Sequence, residues 1–394
     1  MGRKSHAARE AVPKNGPMRR PCSCLLLALA ALLAVPARAD LLAGFRDPQD
    51  GRLDISDWLL NRKGVLPVPM LITEPAVGYG AGLAGLFFRE SMGERAQNAP
   101  PGRQATPPDI YVLGGLATEN GTRGAAAGGM VTSEDGRYRW RGGVVRTDLN
   151  LDFFGIGGRD AGIGYSLDGW ASVQHGMVRL GDSDAWLVGR WNYFNLQSSF
   201  GAAEGSPGLV DVGRESRASG LGGSLEYDSR DNIFTPSRGF KGSLELTFYA
   251  PAFGSDQSFR TGRAEGFNYW PVGRSVVLGA RGDLRTATDR APLYLLPYVD
   301  LRGVPVMRLQ DQNTLVAEGE VRWNLDPRWA LVGFGGAGRA WGFRTDYAEG
   351  EGTVSKGVGV RYLLARRLGL YAGIDWAWST QDHAWYFQIG SAWR

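Results

Sequence analysis

The stretch Leu315-Val316-Ala317-Glu318-Gly319-Glu320-Val321-Arg322-Trp323-Asn324-Leu325 alternates along its whole length. Successive side chains of a strand point to opposite faces. Leu315, Ala317, Gly319, Val321, Trp323 and Leu325 therefore share one face, and Val316, Glu318, Glu320, Arg322 and Asn324 share the other. The same division sets Leu244, Leu246 and Phe248 against Ser243, Glu245, Thr247 and Tyr249. It also sets Leu370, Ala372, Ile374, Trp376 and Trp378 against Tyr371, Gly373, Asp375 and Ala377. At the end of the chain, Trp385, Phe387, Ile389, Ser391 and Trp393 oppose Tyr386, Gln388, Gly390, Ala392 and Arg394. A soluble sandwich alternates in this way too. Two further features favour a membrane sheet: strands of about ten residues, the length a tilted spanning strand needs, and aromatics near strand ends, where interfacial girdles lie. Such a sheet must close, because an open edge in lipid leaves backbone groups unpaired. The expected fold is all-β, a transmembrane antiparallel β-barrel with a polar lumen.

Counting outward gives eight strands from Gly239 on, at about 239–250, 258–270, 275–286, 314–325, 329–342, 353–364, 368–379 and 384–393. Upstream the candidates are 75–89, 109–118, 123–133, 137–148, 162–167, 170–180, 185–197 and 218–228, which makes sixteen. Asp168-Gly169 is read as a turn between two of them. Outer-membrane barrels have short periplasmic turns and long extracellular loops. The short set includes Trp270 to Arg274, Asn324 to Arg328 and Ala365 to Arg367. The long set includes Ser91 to Pro108, Ser199 to Arg217, Ala287 to Asn313 and Phe343 to Gly352.

The N-terminus reads as a secretory signal over residues 1–39. Arg19 and Arg20 precede the apolar run Leu25 to Val35, and Ala37-Arg38-Ala39 places cleavage before Asp40. Met18 is an alternative start. This agrees with the barrel in placing the protein in the Gram-negative outer membrane. Cys22 and Cys24 lie ahead of the apolar run, so the mature chain has no thiol for disulfide, redox or metal chemistry. No stretch after Asp40 is long and apolar enough for a membrane helix. With 44 basic and 40 acidic residues and no basic block after the leader, nucleic acid is not an expected partner. Residues 40–73 read as a periplasmic segment that packs on or plugs the barrel mouth, and 74–394 as the barrel. In the segment, Asp54-Ile-Ser-Asp57 can cap a short helix. Val65-Leu-Pro-Val-Pro69 is extended. Asp47, Asp50 and Asp54 resemble a calcium loop, but Arg46 and Pro48 stand where ligands are needed, and a solvated acidic loop is the better reading.

Several motifs reduce to structure. Gly333-Phe-Gly335-Gly-Ala-Gly338 matches G-x-G-x-x-G, yet strand residues follow it where a dinucleotide site needs a helix, so small-residue packing is expected. Gly164-Tyr-Ser166-Leu-Asp168 falls one residue short of a nucleophile elbow. His383 beside Asp382 and near Ser379 is the one hydrolase candidate, outweighed by a polar loop, and His175 reads as a lumenal strand residue. No cluster has metal-ligand spacing. No catalytic residue, cofactor site or metal site is assigned.

Two motifs point to a family. One is Leu225-Glu-Tyr-Asp-Ser-Arg-Asp-Asn-Ile-Phe-Thr-Pro-Ser-Arg-Gly-Phe240, the other Leu301-Arg-Gly-Val304 within a long loop before the strand bearing Glu318 and Glu320. Together they resemble the barrel of BamA- and TamA-like outer-membrane assembly factors, the bacterial surface antigen family, over about residues 74 to 394. The resemblance implies that the loop folds into the lumen and that Arg302, beside Gly303, is held there by acids of neighbouring strands. Glu320 is the main expected partner. The aspartate that the family carries two residues after a phenylalanine is replaced here by Gly336 after Phe334, and Glu318 is the substitute. The first motif reads as a tight periplasmic turn in which Asp228, Arg230 and Asp231 pair, Pro236 fixes φ and Gly239 gives a left-handed exit. Trp385, Phe387, Ile389 and Trp393 resemble the last-strand signal read by assembly machinery, although the chain ends on Arg394. The segment before the barrel is too short for the POTRA domains that receive clients in that family. The expected function is insertion or translocation of outer-membrane protein or lipid without covalent chemistry. A passive porin-like or structural barrel is the alternative, and a hydrolase built on His383 the third reading. Expected partners are outer-membrane lipid and lipopolysaccharide, the barrel assembly machinery during biogenesis, and a periplasmic protein.

Overall fold

The computed structural model describes residues 44–97, 107–153, 163–201, 214–343 and 345–393. The expected signal peptide and cleavage site, with Met18 and Arg394, lie outside them. Sixteen strands form one antiparallel sheet in sequence order. They are β1 (Gly64–Ile72), β2 (Gly80–Phe88), β3 (Ile110–Thr118), β4 (Arg123–Thr132), β5 (Tyr138–Phe153), β6 (Ile163–Arg179), β7 (Ala185–Phe200) and β8 (Arg214–Asp228). The second half comprises β9 (Gly239–Tyr249), β10 (Phe259–Val272), β11 (Val276–Ala287), β12 (Asn313–Asn324), β13 (Trp329–Trp341), β14 (Glu351–Ala365), β15 (Leu370–Ser379) and β16 (His383–Ile389). Two short helices, α1 (Ser56–Leu60) and α2 (Met92–Gln97), lie outside the sheet.

The alternation sorts as the sequence requires. Leu244 is 63% exposed on the outer wall, whereas Thr247, on the inner side of the same strand, is fully buried. In β12, Val321 and Trp323 are exposed, while Glu318 and Arg322 are buried inside.

Sixteen strands match the expected number, but through two errors that cancel. Val65-Leu-Pro-Val-Pro69, assigned to the periplasmic segment, lies in β1 and pairs with β2 from Gly64↔Phe88 to Ile72↔Gly80. Pro67 and Pro69 are tolerated because β1 pairs on one side only, so their missing N–H groups fall on the free edge. The Asp168-Gly169 turn does not exist. Gly169 lies within β6 between Thr147 and Leu196, and a Cβ there would stand 2.0 Å from the Asn195 carbonyl oxygen. This dipeptide marks close strand approach.

The missed strand also inverts the connection at Ser91 to Pro108. Strand direction puts it at the short-turn end, where α2 meets α1 and Lys63 pairs with Glu94 at 2.5 Å. The other long connections open at the opposite end.

No backbone ladder joins β1 to β16 among the described residues. Across this seam the Tyr79 and Trp385 rings stack with centroids 6.3 Å apart.

Candidate functional site

The loop between β11 and β12 turns inward and packs on the barrel wall. Val299, Leu301, Val304 and Leu309 form a buried cluster with Val316 of β12 and Ala340 of β13. The wall admits them where it lacks side chains: a Cβ on Gly336 would meet Leu301 at 2.8 Å, and one on Gly338 would meet Val299 at 2.3 Å. This is the packing expected of the Gly333–Gly338 run. Val304 fills a buried aliphatic niche there.

Arg302 and Gly303 sit at the tip. Gly303 takes φ +85°, a left-handed value favouring glycine. Its N–H donates to the Tyr386 hydroxyl at 3.0 Å, and its carbonyl accepts from the Ser379 hydroxyl at 2.7 Å. The Ser355 hydroxyl donates to the Arg302 carbonyl. The loop backbone is thereby tied to β14, β15 and β16.

The guanidinium of Arg302 is buried and meets three carboxylates. Its Nε donates to Glu318 Oε1 at 2.7 Å and its Nη1 to Asp375 Oδ2 at 3.0 Å. Glu320 Oε2 lies 2.9 Å from Nη2 but off the donor axis, giving an ion pair without a hydrogen bond. The Phe334 ring lies 3.5 Å from the guanidinium carbon, a cation–π arrangement. The geometry brings together Arg302, Gly303, Glu318 and Glu320, but it favours Glu318 over Glu320. Asp375 supplies an acid the sequence reading did not assign. It also accepts from both terminal nitrogens of Arg361, at 2.5 and 2.8 Å. Asp300 adds a second anchor, paired with Arg281 at 3.1 Å and Arg285 at 2.7 Å.

Trp393 departs from the expected stripe. Phe387 and Ile389 face outward, exposed, and Trp385 stacks on Tyr79. Trp393 is 4% exposed and lies inside the barrel, its indole N–H donating to Glu318 Oε2 at 2.7 Å. Gly390, at φ +80°, turns the chain out of the strand. Its N–H donates to the Tyr371 carbonyl at 2.7 Å, and that of Ser391 to the Phe234 carbonyl at 2.5 Å. The indole then packs against Phe267, Tyr269 and Val277. One buried donor and a large apolar surface outweigh continuation along an edge.

The turn motif explains part of this path. Arg230 grips Asp228 with two hydrogen bonds, at 2.8 and 2.7 Å. Asp231 does not join that pair. Its carboxylate accepts from the backbone N–H of Ser237 at 2.9 Å and Arg238 at 3.2 Å, the ordinary use of an aspartate in a turn. Pro236 is buried, and Gly239 takes φ +101° as it enters β9. The turn also braces distant chain: Asn232 donates to the Leu368 carbonyl at 2.8 Å, and Phe234 receives the C-terminal tail.

The acidic N-terminal loop is neither solvated nor a calcium site. Arg328 of the β12–β13 turn is wholly buried within it and pairs with Asp47 at 2.6 Å, Asp50 at 2.7 Å and Asp54 at 2.7 Å. Arg366 of the β14–β15 turn adds a pair to Asp50 at 2.5 Å. The hydrogen bond from Arg328 holds the Asp50 carboxyl down at about 2, and the paired aspartates raise Arg328. A carboxylate trio meeting a fork of guanidinium donors needs no metal.

The hydrolase reading finds no support in this geometry. The Ser379 hydroxyl is spent on Gly303, and His383 is exposed, with Asp382 beside it at 3.5 Å. His175 faces inward and accepts from Arg141 Nε at 3.1 Å through Nδ1.

A family model described as the Omp85 superfamily domain matches residues 188–393, more than half of the chain. Among solved structures, BamA from Haemophilus ducreyi lacking POTRA domains 1–3 superposes with a TM-score of 0.57 at 11% identity, covering 84% of this chain and 70% of that one. CdiB from Escherichia coli gives 0.54 at 14% identity, covering 81% and 61%. CdiB from Acinetobacter baumannii gives 0.53 at 11%, covering 82% and 59%. Among curated proteins no sequence matches significantly. The identities are low, and the structural likeness carries the barrel fold, while the domain match carries the family: this chain belongs to the Omp85 superfamily.

Proposed function

We propose that this barrel resides in the Gram-negative outer membrane and assists the insertion or translocation of outer-membrane protein or lipid, without covalent chemistry. The observation that carries this reading is the seam. An edge strand in lipid is costly unless something pairs with it, and an unpaired edge is a template for strand addition. With Pro67 and Pro69 facing the seam, Val65 and Leu71 are the donors that β1 offers there, and the carbonyls of Pro67, Pro69 and Leu71 face the same way, that of Val65 accepting from the Arg62 side chain. Such an edge holds an incoming strand weakly and lets it go. The seated Arg302 loop argues against a passive open pore.

The test is a reversible lock on the seam. After residue 39 the sequence has no cysteine, so Tyr79→Cys with Trp385→Cys gives one engineered pair at a known contact. Vesicles containing the oxidised double variant should lose the ability to accelerate folding of a client β-barrel, and a reductant should restore it. Equal acceleration by locked and reduced protein, with cross-linking verified on gels, would favour the structural-barrel alternative.

A further inference from the structure

A cavity of about 540 Å³ opens at the long-loop end, between the ends of β7, β8 and β10 and the loop that follows β11. Its volume falls within the range of small-ligand sites, about 300–1,000 Å³. Arg214, Arg217 and Arg290 border it, with Phe200, Phe259 and Tyr294. Arg217 is occupied by Asp256, with a pair at 3.2 Å. Arg214 and Arg290 make no close ion pair among the described residues, and with Arg217 they set three guanidinium groups against the one nearby carboxylate of Asp256. On the aromatic side Phe200 and Tyr294 are half-buried, the Tyr294 hydroxyl donating to the Ser216 carbonyl at 3.2 Å, while Phe259 is buried and stacked on Tyr249 with centroids 4.3 Å apart.

Arg290 is held in an unusual backbone state. The Ala291 N–H donates to the Thr288 carbonyl at 3.3 Å, closing a turn in which Arg290 is the third residue, at φ +69°. Turns with positive φ at that position favour glycine or asparagine. A long cationic side chain there is a cost the fold retains while placing a guanidinium at the cavity, and strain of this kind gathers at ligand sites.

We propose that this cavity binds a phosphorylated sugar, its anionic group on Arg214 and Arg290 and a face of its ring against Phe200 and Tyr294. Guanidinium groups match phosphate geometry, and aromatic faces suit the apolar faces of sugar rings. A free sugar phosphate and the headgroup of a phosphorylated glycolipid share this chemistry. The proposal does not depend on the insertion activity.

Calorimetric titration of the detergent-folded barrel in phosphate-free buffer, with glucose 6-phosphate, glucose and inorganic phosphate as separate probes, tests it. Glucose 6-phosphate should bind, and the other two about tenfold more weakly or worse, the loss that removing one charged contact or the ring contact entails. Arg214→Gln and Arg290→Gly should each weaken glucose 6-phosphate by about tenfold or more. Arg290→Gly also relieves the backbone strain, so its thermal midpoint should hold or rise while binding falls, which separates lost recognition from lost folding. Repeating the titration in nanodiscs containing lipopolysaccharide identifies the source: competition marks a membrane-bound headgroup, and its absence marks a free sugar phosphate. No binding of glucose 6-phosphate by the wild type overturns the proposal. So does unchanged binding in Arg290→Gly, or inorganic phosphate binding as tightly as the sugar phosphate.

Discussion

Glu318 is where the lumen loop and the chain terminus meet: one carboxylate oxygen takes Arg302 and the other takes the Trp393 indole. Breaking a buried ion pair by removing one partner typically costs about 3–5 kcal/mol, because the other charge is left uncompensated. A partly hydrated lumen lowers that figure. Arg302→Ala and Glu318→Ala should each make the loop between Ala287 and Asn313 cleavable by added protease and raise conductance in planar bilayers. The double variant should cost little more than either single one. Glu320, which pairs without an aligned hydrogen bond, should matter less, so Glu320→Gln should be milder than Glu318→Gln. Additive effects, or a loop already cleavable in the wild type, would show that Arg302 locks nothing. The sequence made half of this cluster readable. Period two put Glu318 and Glu320 on the lumen face, and it placed Asp375 there as well. It could not say that β15, 73 residues away in the chain, comes to the same point. Nor could it show that Trp393 leaves its stripe, since that choice depends on a buried acceptor on β12.

At the scale of elements, the N-terminal segment behaves as a strap rather than a loop. Arg328 gathers Asp47, Asp50 and Asp54, and so fixes residues ahead of β1 to the turns after β12 and β14. Sequence spacing showed the acids but not the cation, which lies 274 to 281 residues away. The prolines of β1 misled for a related reason, because a strand interior forbids them and an edge does not. The strap should respond to acid in a defined direction. Asp50 has its carboxyl lowered from 3.8 to about 2 in the folded protein. Its contribution is therefore complete above the unfolded value and is lost as pH falls from near 4 towards 2. Pepsin, corrected for its own pH profile with an unstructured peptide, should leave residues 45–60 intact at pH 4 and cut them at pH 2. Arg328→Ala should be cut at both. Equal cutting of the wild type at the two pH values would mean that the aspartates do not hold the segment.

For the whole molecule, the family and the antiparallel barrel architecture were legible, whereas the first strand and the seam were not, because alternation describes the faces of a sheet and says nothing about its edges. The seam and the tucked terminus are physically linked. β16 stops at Ile389 because Gly390 turns inward, and the residues that leave could otherwise run on beside β1. A β-branched side chain disfavours the left-handed state, by roughly 1–2 kcal/mol per residue in the helical reference case. Gly390→Val should shift the tail from the lumen to the extended path. That shift sacrifices the Trp393–Glu318 bond and exposes the surface packed on Phe267 and Tyr269, so the two states should both be populated. Amide exchange at Val65 and Leu71, the donors on the free edge of β1, should slow as β16 lengthens. The loop around Arg302 should become more protease-sensitive, because Glu318 has lost one of its two partners. Trp393→Ala should loosen the loop in the same way but leave Gly390 free to turn, so exchange on β1 should change less. If Gly390→Val releases the indole, seen as a change in tryptophan emission, while β1 exchanges as fast as before, then the tail is an anchor for the lumen loop alone and the seam is set by the edge of β1 itself.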